Sequence, residues 1–201
     1  MAPAFPRMRW IALVWLVVWV PAYWRVWGWE NFLRVCDVAV ILTCVGLWRG
    51  SALLLSSQAI NAILTDFAWC LDVGWRLASG RHLFGGTEYM WDAQYPLWVR
   101  LLSLFHVLLP VVLVWALVRV GYDRRGWLLQ TGIAAALLIV SRFFSPALNL
   151  NYAHRDPFFG HGWGPAPVHL ALVLGGMIVV LYFPTHVVLS KTLPQPAALR
   201  G

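Results

Sequence analysis

The sequence predicts an all-α fold, a polytopic bundle of about six transmembrane helices in a single domain spanning 1–201. Three observations predict it. Apolar residues make up 61% and charged residues 11% of the 201 positions, against roughly 45–50% and 25% in soluble proteins. Apolar runs recur along the whole chain and leave no polar stretch long enough for a separate globular unit. Many of the 14 tryptophans border those runs, as at Trp24, Trp48, Trp75, Trp98 and Trp127, and indole prefers the headgroup level of a bilayer.

The first run spans roughly 10–24. Arg7 and Arg9 precede it as in a secretory signal, but it ends in Val20-Pro21-Ala22-Tyr23-Trp24 without a small-x-small cleavage site, which reads as an uncleaved helix. The second run, 33–48, is like the first short for a hydrocarbon core that needs about 20 residues, so thinning, flanking tryptophans or a shallow hairpin must help. The remaining runs are 52–74, 97–120, 127–144 and 166–189. Gly160-His161-Gly162-Trp163-Gly164-Pro165 has no strand before it, so it is not a phosphate loop. It reads as the turn into the last helix, with Pro165 and Pro167 near the first turn.

Alternating spans put both termini on one face and the two long connections, Ala78 to Pro96 and Pro146 to Pro165, on the other. Long ordered loops are more often functional than idle. The formal charge of +7 comes from bases at the ends of apolar runs, a pattern suited to lipid headgroups and not to nucleic acid. Arg7, Arg9, Arg49, Arg119, Arg124, Arg125, Lys191 and Arg200 fall on the terminal face, against Arg25, Arg34, Arg76, Arg81, Arg100, Arg142 and Arg155 on the other. Eight bases to seven favours cytoplasmic termini, in a plasma or inner membrane.

Ionisable groups at bilayer depth are costly and face a bundle interior or a watery cavity. Asp37, Asp66, Asp72 and His106 are such groups. On the third span Gln58, Asn61, Thr65 and Asp72 fall within an arc of roughly 60°. His106 and Asp66 both lie ~12–14 Å below the loop-bearing face at ~1.5 Å per residue. Cys36, Asp37 and the Asn149-Leu150-Asn151-Tyr152 segment sit near that same face, so a shared polar cavity is expected there. Thr, Asn and Gln also serve as interhelical glue, which is the plainer role for the stripe.

Cys36 beside Asp37 is a candidate nucleophile if His106 activates the thiol, although most buried cysteines are inert. Cys36, Cys44 and Cys70 all lie in apolar runs, where no structural disulfide is expected. His154, His161 and His169 match no compact metal signature and read as solvated loop histidines, so no metal site is assigned and no cofactor is named.

The order Leu33-Arg34-Val35-Cys36-Asp37-Val38-Ala39-Val40-Ile41-Leu42, Ser103-Leu104-Phe105-His106, Asn149-Leu150-Asn151-Tyr152 and Gly164-Pro165-Ala166-Pro167 resembles the YwaF-like family of six-helix membrane proteins. The resemblance covers roughly residues 33–190 and its motifs are short. An animal branch of that family comprises lipid acyltransferases with a cysteine and a supporting histidine. The resemblance therefore implies Cys36 as acyl acceptor, His106 as its base, and Asn151 or Tyr152 orienting the headgroup or the oxyanion.

Three functions follow as expectations. One is a lipid-modifying acyltransferase whose partners are membrane lipids. Another is an accessory subunit of a larger membrane-protein complex that holds pigment, haem or lipid. The third is a small transporter with a proton or cation site at Asp66 and the third-helix stripe.

Overall fold

The structure, a computed structural model, describes residues 4–197. The described residues form helices and turns with no strand. α1 is Met8–Trp27, twenty residues long, and passes through Pro21 without ending, because one lost backbone bond does not stop a helix that neighbours support. Its end is set instead at Gly28, whose φ of 81° suits glycine. A 3₁₀ turn, Trp29–Leu33, leads into α2, Val35–Arg49, which stops on left-handed Gly50.

α3, Ala52–Ser79, is capped by Ser51, whose hydroxyl accepts the Leu54 N–H at 3.3 Å. Its 28 residues span ~42 Å, well beyond a ~30 Å hydrocarbon core, so the helix continues past the end of the apolar run at 74. The run expected at 97–120 is two helices, α4 (Leu97–Leu102) and α5 (Phe105–Val120). Tight i to i+3 bonds, Leu104 N–H to the Leu101 carbonyl and His106 N–H to the Ser103 carbonyl, mark the step between them. α6, Gly126–Ser141, ends three residues earlier than the apolar run, where Phe143 and Phe144 tighten into i to i+3 bonds. The last rod is α7 (Ala166–Gly176), a π-helical turn (Met177–Tyr182) and α8 (Phe183–Thr192).

Three of these rods, Met8–Trp27, Leu97–Val120 and Ala166–Thr192, are long and apolar enough to cross a membrane, and Gly126–Ser141 is a shorter apolar helix. The chain is thus an all-helical bundle compatible with an integral membrane protein.

α3 is the axis, packed against α2, α5, α6 and the α7–α8 rod, while α1 lies against α2 and α4. Phe5 meets Trp115 with ring centroids 5.5 Å apart, and the Tyr122 N–H donates to the Pro194 carbonyl at 2.8 Å, so both ends of the described chain lie at one end of the bundle. Arg200, counted with that face, lies outside the described residues.

Small residues let α6 reach the axis. A Cβ on Gly126 would stand 2.6 Å from the Ser56 Cβ and 2.9 Å from backbone atoms of Ser56 and Ser57. Overpacking of this kind costs about 1–3 kcal/mol. Gly126→Ala is therefore expected to lower the thermal midpoint in detergent, whereas Gly132→Ala, with no atom within 4 Å of the added Cβ, leaves it unchanged or raised.

Candidate functional site

The polar face of α3 is buried at successive levels, Ser56, Ser57 and Gln58, then Asn61, then Asp66, then Asp72, with Thr65 half-buried beside Asp66. Near the terminal end Ser56 Oγ accepts the Asp123 N–H at 2.9 Å, and Gln58 Nε2 donates to Ser57 Oγ at 2.8 Å. One turn on, Asn61 Nδ2 donates to the Val35 carbonyl at 3.1 Å and Asn61 Oδ1 accepts the Tyr182 hydroxyl at 3.2 Å. Gln130 Nε2 donates to the same phenol oxygen at 3.4 Å. Helices α2 and α3 and the π-helical turn thus meet on one amide, and α6 joins them through the Tyr182 hydroxyl.

This stripe is not fully satisfied. Gln58 Oε1, Thr65 Oγ1, Asp66 Oδ2 and Gln130 Oε1 are buried with no hydrogen-bond partner among the described residues. Asp66 is 1% exposed, and no Arg, Lys or His nitrogen of the described residues lies within 4.0 Å of it. An ionised carboxylate so enclosed is too costly to stand alone, so it must carry a proton, or a bound cation or water must answer it.

Nearer the loop-bearing end, Asn31 Nδ2 donates to Asp37 Oδ2 at 2.5 Å, and Arg34 Nε donates to Asn31 Oδ1 at 3.0 Å. The Cys36 thiol donates to Asp37 Oδ1 over a long 3.9 Å. Arg34, Asp37 and Asp66 are close enough to act on Cys36 electrostatically, as Cys36 is on Tyr89 and Tyr152. Cys36 and Asp37 thus share one polar group with Asn31 and Arg34 at the start of α2.

His106 is buried as expected, but it faces a different set of groups. Its Nδ1 donates to the Ser103 carbonyl at 2.8 Å, and its ring stacks on Trp69 at 4.6 Å and on Phe105 at 4.0 Å. No Cys36–His106 hydrogen bond is present among the described residues.

Asp72 serves the loop. Its Oδ1 accepts the N–H groups of Leu83, Phe84 and Gly85 at 2.7, 2.6 and 3.2 Å, and its Oδ2 meets His82 Nδ1 at 3.0 Å and the Thr87 hydroxyl. Asp72→Ala is expected to leave α3 helical while amides 82–87 lose hydrogen-exchange protection by at least about tenfold, because three backbone donors lose their acceptor. Unchanged protection would show that the loop holds itself.

Asn151 is a clamp. Its Oδ1 accepts the Val35 N–H at 2.9 Å, and its Nδ2 donates to the Leu33 carbonyl at 2.7 Å and to Ser141 Oγ at 2.9 Å. Asn149, Asn151 and Tyr152 hold φ of 39, 53 and 61°, a left-handed region that asparagine tolerates and that strains Tyr152. Tyr152 keeps 42% of its surface accessible, and its hydroxyl approaches Gly86 of the other long loop.

The expectation of solvated loop histidines holds for exposed His161 and fails for His169. His169 is buried, its Nε2 donating to the Tyr152 carbonyl at 2.9 Å and its Nδ1 accepting the Trp163 N–H at 3.3 Å. Its position on α7 brings it back beneath the loop. In that loop, burial raises the Asp156 pKa, but the N–H groups of Phe159, Phe158 and His161 outweigh this and hold the carboxyl below its ordinary range.

Sequence reasoning missed Tyr182, Gln130 and the Tyr23–Ser103 hydrogen bond of 2.7 Å. Gln130 was visible as a lone amide in an apolar run. Tyr182 was signalled only by Gly175-Gly176, since glycine pairs permit helix irregularity.

No family model, curated protein or solved structure matches the chain.

Proposed function

We propose that the chain is a small integral membrane protein of six spans that passes protons or a small monovalent cation through its bundle, with Asp66 as the binding group. The observation that carries this reading is the buried Asp66 carboxyl, unpartnered at Oδ2 and lacking a cationic partner among the described residues. An ionisable group at such depth marks an ion pathway more readily than a structural contact. Asn61, Gln58 and Ser56 continue from Asp66 toward the terminal face, and Asp37 with Cys36 continues toward the loops. Steps along α3 between these residues rise ~3–8 Å, gaps that one or two waters bridge. The terminal face is assigned to the cytoplasm by its slight excess of bases.

The acyl-transfer chemistry implied by the YwaF-like resemblance would need a base beside Cys36. Here the thiol faces a carboxyl, which opposes thiolate formation when ionised, and His106 Nδ1 is committed to Ser103. A haem- or pigment-holding subunit would need ring nitrogens to spare, which excludes His169, where both are engaged, as a ligand. The geometry supports these readings less than an ion site.

Proteoliposomes carrying an internal pH dye test the proposal. A pH gradient imposed across the membrane should collapse faster with protein than without, or a sodium or potassium gradient should do so in parallel vesicles. Vesicles with protein that hold all three gradients like empty vesicles would refute it.

A further inference from the structure

We propose that the groove between α6 and α7 binds one anionic phospholipid, with an acyl chain along the groove and the phosphate on Arg142 and Arg155. The groove has a volume of ≈ 460 Å³, within the range of ligand sites, and its wall is almost wholly apolar. Ala135, Leu138 and Ile139 of α6 face Leu170, Ala171 and Leu174 of α7 across it. Alanines on both walls, Ala135 and Ala171 among them, are too short to fill the space between the helices. From Arg142 to Ala135 the groove descends ~10 Å, and from Ala166 to Leu174 ~12 Å, the depth of an upper acyl chain.

Charge lies at one end only. Arg142, the residue closing α6, lines the groove mouth and is held by His154, to whose Nδ1 it donates. The His154 Nε2–H in turn donates to the Phe144 carbonyl at 3.0 Å, which fixes the ring as an acceptor for Arg142. Arg155, next in sequence, sends Nη2 to the Pro146 carbonyl at 3.4 Å on the same connection. Neither arginine has a carboxylate within 4.0 Å among the described residues. The nearby Asp156 is spent on the N–H groups of Phe158, Phe159 and His161. Arg142 at the mouth of an apolar groove, with Arg155 on the connection that follows it and neither paired with a carboxylate, matches a lipid phosphate with its acyl tail, since Arg binds phosphate bidentately and basic interhelical pockets select anionic headgroups. This inference is independent of the role given to Asp66.

The test is native mass spectrometry of protein released from micelles containing equal phosphatidylglycerol and phosphatidylcholine with identical acyl chains. One phosphatidylglycerol should be retained in preference by about tenfold. Arg142→Gln with Arg155→Gln should remove the preference, and Ala171→Trp, which fills the groove from an exposed position, should remove retention of both lipids. Leu172→Trp, also exposed but outside the groove lining, serves as the control for folding and should retain the lipid. Equal retention of the two lipids by wild type, or undiminished binding in Ala171→Trp, would overturn the proposal. So would a dimer that Ala171→Trp dissociates, because a second copy would then fill the groove.

Discussion

Asp66→Asn is expected to reduce ion flux in proteoliposomes by at least about tenfold while leaving the fold intact. The substitution keeps the shape of the side chain and removes only its capacity to exchange a proton or to bind a cation by charge. Oδ2 of Asp66 has no partner among the described residues to lose, so the stability cost should stay within about 1 kcal/mol, in contrast to the removal of one member of a buried hydrogen-bonded pair. Asp37→Asn is the informative comparison. Asp37 accepts from Asn31 at 2.5 Å and from Cys36 at 3.9 Å, so its replacement should disturb the loop-bearing end as well as flux. Equal flux in wild type and Asp66→Asn, with both proteins folded, would move the pathway away from α3.

Asn151→Ala should cost the most stability of any single change outside the apolar core, about 2–4 kcal/mol, read as a fall in the thermal midpoint in detergent. Three bonds go at once, to the Val35 N–H, the Leu33 carbonyl and Ser141 Oγ, and the first two are backbone groups at the start of α2. Alanine also inherits a φ of 53° that favours asparagine and glycine. Asn151→Gly loses the same bonds without that strain, so it should be more stable than Asn151→Ala by roughly 1 kcal/mol. If glycine and alanine are equivalent, the positive φ is not carried at any cost.

The fold was largely legible because a bilayer forces both apolar length and helical hydrogen bonding, so the six rods follow from run length and tryptophan borders. Element ends were less legible. The run read as one span at 97–120 is two helices, while Asp72, read as a buried charge of the stripe, is the acceptor for the loop beyond it. Of the site, depth along each helix placed Asp37, Asp66 and His106 as buried groups, which they are. Depth says nothing of azimuth, however, and His106 at the same level turns into Trp69 and Phe105. The azimuth of Tyr182 was hidden for the same reason, because it lies in a π-helical turn that shifts the angular register.

The central claim is that Asp66 holds an exchangeable proton or a cation inside the bundle, and infrared difference spectroscopy of the reconstituted protein across a pH titration tests it most directly. The account predicts a protonated-carboxyl C=O band that shifts in heavy water, titrates with pH or with added sodium, and is absent in Asp66→Asn but present in Asp37→Asn. A spectrum that is identical in wild type and Asp66→Asn at every pH and sodium concentration would contradict it.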